Sequence, residues 1–243
     1  MIKYLKKFNI AYKIIPYKRD QDVIKIFDNK YAYKCIVSLV DGYNNLRYIE
    51  GNFAGRKTAE AVANKFPDLF IKTQGKNVQE KTRKSVRLMD KLVLNLYPAY
   101  SSCVGVFLFE SKKTYIIISI GSVVVFIWNG HEWFKPKEIK DYSLDLKFYP
   151  ADVSRFFGLG ELKRQDPKLY KPDADVIQID KTKPVFLASD GFEDIFNLKS
   201  FNNFSNKLKD KNPKYFIEKL GEEIKNSQRQ KDDISILIKS SVS

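Results

Sequence analysis

Two apolar runs in this chain end in Asp-Gly: Ser38-Leu39-Val40-Asp41-Gly42 and Phe186-Leu187-Ala188-Ser189-Asp190-Gly191. A third acidic pair, Asp232-Asp233, opens a final apolar run from Ile234 to Ile238, and Asp22 directly precedes another at Val23. An aspartate at the mouth of a buried strand is held rigidly. Several such ends meeting in one place make the oxygen-rich cage that Mg²⁺ or Mn²⁺ prefers. Taken singly, each is an ordinary turn or cap residue. Four of them against four apolar runs form a pattern that turn chemistry does not require. Two divalent ions bridged by one carboxylate would activate a water for in-line attack on phosphorus.

Other catalytic schemes lack their residues. The single histidine, His131, lies in the polar turn Asn129-Gly130-His131-Glu132, which rules out a histidine-rich metal cluster. A Ser-His-Asp triad would have to use that residue with no Gly-x-Ser-x-Gly support. Cys103 is followed by Val-Gly-Val-Phe-Leu-Phe rather than by an arginine-terminated loop, so a thiolate phosphatase is not expected. Both cysteines, Cys35 and Cys103, sit in apolar runs and read as buried reduced thiols. Gly158-Leu159-Gly160 lacks the third glycine of a dinucleotide loop, and no phosphate-binding P-loop is present.

The elements that must position the aspartates are mixed. Val23 to Phe27 and Tyr31 to Val40 read as a hairpin turning at Asp28-Asn29-Lys30. Arg56 to Phe66, stopping before Pro67, and Val78 to Leu96 read as helices. Cys103 to Phe109, Thr114 to Ile120 and Val123 to Trp128 read as an antiparallel meander. An irregular stretch, Asn129 to Lys183, precedes a strand at Val185 to Ala188, a short helix suggested at Phe192 to Phe196, a helix at Pro213 to Ile224 and a strand at Ile234 to Ile238. This order suits a sheet-rich core with helices outside rather than a regular βαβ winding.

The length of 243 residues fits one domain spanning the whole chain. The basic residues of Met1 to Asp20 interrupt its apolar positions, so it does not read as a signal peptide, and no run reaches a membrane span. A cytoplasmic protein is expected. The net charge of +14 invites a nucleic-acid reading. Of 43 basic residues, however, 35 are Lys and 8 are Arg, whereas base and phosphate readers lean on the bidentate guanidinium. Nucleic acid is therefore not the expected partner. The basic segment Lys72 to Lys91 reads as a solvated helix face or a dock for acidic partners.

Seven short strings, in order along the chain, resemble the landmarks of the metal-dependent serine/threonine protein phosphatases of the PPM, or type 2C, family. They are Arg19-Asp20-Gln21-Asp22, Val40-Asp41-Gly42, Ser101-Ser102-Cys103, Ile120-Gly121-Ser122-Val123, Val153-Ser154-Arg155-Phe156-Phe157-Gly158, Ala188-Ser189-Asp190-Gly191-Phe192-Glu193-Asp194 and Asp232-Asp233-Ile234-Ser235. The resemblance implies an α+β fold, a four-layer αββα sandwich of two central antiparallel β-sheets flanked by helices. It implies two Mg²⁺ or Mn²⁺ ions, with Asp41 bridging them, the Gly42 carbonyl on one, Asp190 and Asp232 on the other, and Asp22 acting mostly through metal-bound waters. Asp41, Asp190 and Asp232 would form the catalytic set. The reaction would be hydrolysis of phosphoserine or phosphothreonine in phosphorylated protein substrates by a bridging metal-bound water, in a monomer. A catalytically weak phosphoprotein-binding regulatory module is the alternative.

Three departures bear on that implication. Ser122 stands where the family has an acidic residue, which puts a third metal in question. Tyr43 replaces a histidine proposed as general acid. Tyr17 stands where the phosphate-binding arginine falls, leaving Lys18 or Arg19 to bind substrate. The irregular stretch Asn129 to Lys183 includes the region where the family carries a variable flap, and Phe156 to Lys171 is expected to shape substrate access, with Lys163, Arg164 and Lys168 available to phosphopeptide acids.

Overall fold

Runs rich in Val, Ile and Phe become strands because branched and aromatic side chains pack well on a pleated surface. In chain order the strands are β1 (Lys3–Leu5), β2 (Ile10–Ile15), β3 (Val23–Lys30), β4 (Tyr33–Asn44), β5 (Ser101–Glu110), β6 (Thr114–Ile120), β7 (Val123–Trp128), β8 (Trp133–Phe134), β9 (Phe157–Gly158), β10 (Asp175–Asp180), β11 (Val185–Ser189) and β12 (Ile234–Lys239). The helices are α1 (Ala54–Lys72), α2 (Val78–Leu96), α3 (Leu198–Asn206) and α4 (Pro213–Asn226). The computed structural model describes residues 2–17, 21–30, 32–44, 54–96, 101–139, 157–158, 174–208 and 212–240.

The strands make two antiparallel sheets. Sheet I has the order β1-β2-β12-β11-β7-β8, and sheet II has β10-β6-β5-β4-β3 with β9 paired to the start of β5. Their facing surfaces bury Val125, Leu187 and Leu237 of sheet I against Val37, Leu39, Leu108 and Ile117 of sheet II. Helices α1 and α2 cover the outer face of sheet II, where Phe66 and Phe70 meet Phe107 and Phe109 at ring separations of 4.2 and 4.5 Å. On the outer face of sheet I, α3 and α4 place Phe201, Phe216 and Leu220 over Phe126, Phe186 and Ile236. The result is the four-layer αββα sandwich, an α+β fold, that the motifs imply. No helix among the described residues is long and apolar enough to cross a membrane.

Several sequence expectations are corrected. Helix α1 does not stop before Pro67 but runs through it to Lys72. A proline inside a helix costs about 3 kcal/mol, and here the burial of Phe66 and Phe70, on either side of it, outweighs that cost. The hairpin turn falls beyond Lys30 rather than at Asp28-Asn29-Lys30, because Lys30 still pairs with Tyr33. The meander does not form. Strand β6 has both edges filled, by β5 and β10, so β7 crosses to sheet I and pairs with β11. Strands β1, β2 and β10 and helix α3 were hidden by interspersed charges and asparagines. The short helix read at Phe192 to Phe196 is instead a 3₁₀ turn over Asp190–Phe192 followed by an irregular turn.

One buried charge pair joins the sheets. Lys239, at the end of β12, is fully buried, donates to the Phe8 carbonyl at 2.6 Å and lies 3.3 Å from Glu110 Oε2 at the end of β5. That oxygen stands in ion-pair range without meeting hydrogen-bond geometry. The Tyr115 ring flanks the ammonium at 5.6 Å, and burial pushes the Lys239 ammonium below the ordinary lysine range.

Candidate metal centre

The end of the sandwich opposite Lys239 gathers the aspartates. Asp22 immediately precedes β3 and Asp41 lies near the end of β4, at the rim of sheet II; Asp190 immediately follows β11 and Asp232 shortly precedes β12, at the rim of sheet I. The site is therefore drawn two residues from each sheet. Asp41 lies beside both Asp22 and Asp190, and Asp232 lies close enough to repel both Asp41 and Asp190. Asp22 is fully buried, Asp41 and Asp190 are half-buried, and Asp232 is exposed.

Local packing explains the glycine of each Asp-Gly pair. A Cβ on Gly42 would sit 2.5 Å from the Gly55 carbonyl oxygen in the first turn of α1, and one on Gly191 would sit 2.9 Å from the Asp233 carbonyl oxygen. Both glycines let a second backbone approach the strand end that carries the aspartate. Phe192 then fixes the Asp190 turn from below, stacking on Phe196 at 5.2 Å and packing on Phe186 at 5.1 Å.

Hydroxyls and amides orient the acids. Ser189 donates to Asp22 Oδ2 at 2.9 Å and accepts from the Ser235 amide at 2.9 Å. Ser122 donates to Asp190 Oδ2 at 3.1 Å. Asp22 Oδ1 is buried and accepts no hydrogen bond among the described residues. Burial pushes the Asp22 carboxyl up to about 7, against the opposing effect of its hydrogen bonds. Burial, then the charges of Asp22, Asp190 and Asp232, push Asp41 well above the carboxylate range, and burial with Asp232 raises Asp190.

Crowded hard oxygens that repel one another, one of them without a partner, are the donor set a divalent cation relieves. Among the described residues no three His, Cys, Asp or Glu side chains converge as a formed cage. The carboxylates meet pairwise about Asp41. By donor chemistry and by the partnerless Asp22 oxygen, these residues fit Mg²⁺ or Mn²⁺.

A scan of protein-family models finds no match, and a search of curated proteins finds no similar sequence. Solved structures do match. The serine/threonine phosphatase Stp1 from Staphylococcus aureus superposes with a TM-score of 0.70 at 12% identity, over 100% of this chain and 98% of that one. PppA, a regulatory component of the type VI secretion system in Pseudomonas aeruginosa, gives 0.66 at 14% identity over 99% of each chain. The catalytic domain of the serine/threonine phosphatase PstP, in complex with two manganese ions, gives 0.64 at 12% identity over 96% and 99%. This chain has the serine/threonine phosphatase fold.

On the phosphatase fold, the residues singled out in the sequence fall into three groups. Asp22, Asp41 and Asp190 are brought together, with Asp232 beside them. Ser122 is near the acids as a hydrogen-bond donor. Lys18 and Arg19 lie outside the described residues, as do Lys163, Arg164, Lys168 and nearly all of Phe156 to Lys171. His131 is exposed in its turn, and both cysteines are free and buried.

Sequence reasoning missed Asp233. It is buried, and its two carboxylate oxygens accept the backbone amides of Tyr17 at 2.6 Å and Gln21 at 2.7 Å. The second acid of the Asp232-Asp233 pair thus clamps both flanks of the segment leading to Asp22. Its signal was present, because in a strand-opening pair alternate residues face opposite ways. Ser189 was missed because a serine within an apolar strand carries no spacing signal.

Proposed function

We propose that this protein is a metal-dependent serine/threonine protein phosphatase acting on phosphorylated proteins, one domain spanning residues 1–243. The observation that carries the reading is Asp41 in contact with Asp22 on its own sheet and Asp190 on the other. Asp41, Gly42, Asp190 and Asp232, with Asp22 behind them, are the residues assigned to two Mg²⁺ or Mn²⁺ ions. When bound, those ions supply an activated water and neutralise charge developing on the phosphoryl oxygens.

The protein's own groups prepare that site. Asp41 neighbours both other acids, so it would be the carboxylate that serves both ions. Ser189 fixes Asp22 and Ser122 fixes Asp190, which limits rotation of each carboxylate. Asp233 anchors Tyr17 and Gln21, the flanks of Lys18 and Arg19, which are assigned to the substrate phosphate. With Ser122 as a neutral donor in place of an acid, a third ion is not part of the proposal.

The test is release of phosphate from p-nitrophenyl phosphate and from phosphothreonine peptides. The expected result is Mn²⁺- or Mg²⁺-dependent turnover that chelator abolishes and that Asp41→Asn lowers by about a thousandfold or more, the scale of several kcal/mol of lost charge stabilisation. Absence of turnover with either ion would leave the fold as a phosphoprotein-binding module.

A further inference from the structure

A groove of about 490 Å³ runs between the last turns of α1 and the middle of α2. Leu69 and Leu88 form its apolar part, and Lys72, Lys84, Arg87 and Lys91 stand around it. Leu88 is 47% exposed, one of three large hydrophobic residues left open among the described residues. Of the four cations, Lys84 is paired with Glu80 at 2.8 Å. Lys72, Arg87 and Lys91 have no acidic partner among the described residues, although α1 and α2 carry acids elsewhere. Three unpaired like charges around one concavity repel one another, and each is worth little to stability on its own.

The groove is far from the aspartates. Gly55, in the first turn of α1, abuts Gly42, and 14 residues separate it from Leu69. At 1.5 Å per residue the groove begins about 20 Å along the helix from that contact.

We infer that this α1–α2 groove is a docking site for an acidic segment of a partner protein, one that carries an apolar side chain between its carboxylates. Charge complementarity selects the acids, and the exposed leucine selects the apolar anchor. A nucleic acid fits the same charge, but among the described residues lining the groove there is no aromatic ring on which a base could stack. A peptide with leucine among glutamates uses both the cations and the leucine floor. The site is independent of the proposed catalysis and survives its failure.

The probe is a fluorescein-labelled peptide of alternating Glu and Leu, titrated with the full-length protein and read by anisotropy. Three variants are compared with wild type: the reversal Lys72→Glu/Arg87→Glu/Lys91→Glu, the single change Leu88→Ser, and a control reversal at the exposed Lys112, Lys113 and Lys137. The expected result is binding weakened about tenfold or more by the groove reversal, the loss of several rim charges, and severalfold by Leu88→Ser, with the control changing it less than twofold. All three variants should retain the wild-type circular dichroism spectrum and melting temperature, and the same turnover of p-nitrophenyl phosphate as wild type. Equal weakening by groove and control reversals would overturn the proposal, because net charge alone would then explain binding. So would a labelled single-stranded oligonucleotide that binds more tightly than the peptide and loses affinity to the groove reversal but not to Leu88→Ser.

Discussion

The two ends of the sandwich handle buried charge in opposite ways. At one end Lys239 and Glu110 bring opposite charges together across the sheets, with Phe8 and Tyr115 completing the shell. At the other, Asp22, Asp41 and Asp190 bring like charges together, and among the described residues no cation pairs with them. A pair whose charges offset each other serves the fold. A set whose charges do not is under electrostatic strain that a cation relieves, which is where a functional site is expected.

Changes at the two ends should therefore have opposite signs. The largest effect is expected from Glu110→Ala, which leaves the Lys239 ammonium buried without its acid and should cost about 3–5 kcal/mol in urea unfolding. The paired change Glu110→Leu/Lys239→Met should recover most of it, and a double variant as unstable as the single one would break the comparison. At the acidic end, Asp41→Asn should stabilise the chelated protein at pH 8 by about 1–3 kcal/mol, since a neutral amide avoids burying a repelled charge. A loss of stability there would mean that Asp41 is held by favourable contacts rather than strained.

The same force sets a pH dependence. Asp22 is raised from 3.8 to about 7 in the fold, so the folded state holds its proton more tightly than the unfolded one. The stabilisation is complete below pH 3.8 and is lost as the pH rises through about 7. The chelated protein should thus lose stability over that window relative to Asp22→Asn, and Mn²⁺ should restore it at the alkaline end. A difference between the two proteins that does not change with pH would sink this account. The smallest effect is expected from Ser189→Ala, which should cost about 1 kcal/mol through the lost bond to Asp22. It should also weaken Mn²⁺ binding by about tenfold in calorimetry, the scale of an outer hydrogen bond to a ligand.

The acidic end was legible in the sequence because its signal is local: an aspartate next to an apolar run needs only its neighbours to be recognised. The Lys239–Glu110 pair was not legible, since each residue reads as an ordinary polar strand end until two strands 129 positions apart are packed together. The same limit explains the meander. Each of its three strands was found, but their pairing depends on which edges β10 and β11 occupy. Helix α1 passing through Pro67 follows from aromatic packing on sheet II, which local propensity does not contain. Helix α3 was legible in principle, through Asn197, whose side chain accepts from the Ser200 amide as an N-cap. Its two internal asparagines obscured it.

Because two of the aspartates belong to each sheet, the thickness of the apolar filling between the sheets is the calliper for the oxygens at their rim. Val37 and Leu237 lie within that filling. If the proposed ions bind at that rim, thinning or thickening the filling would retune their preference from a distance, so residues that shape selectivity need not be sought only among those that bear a charge.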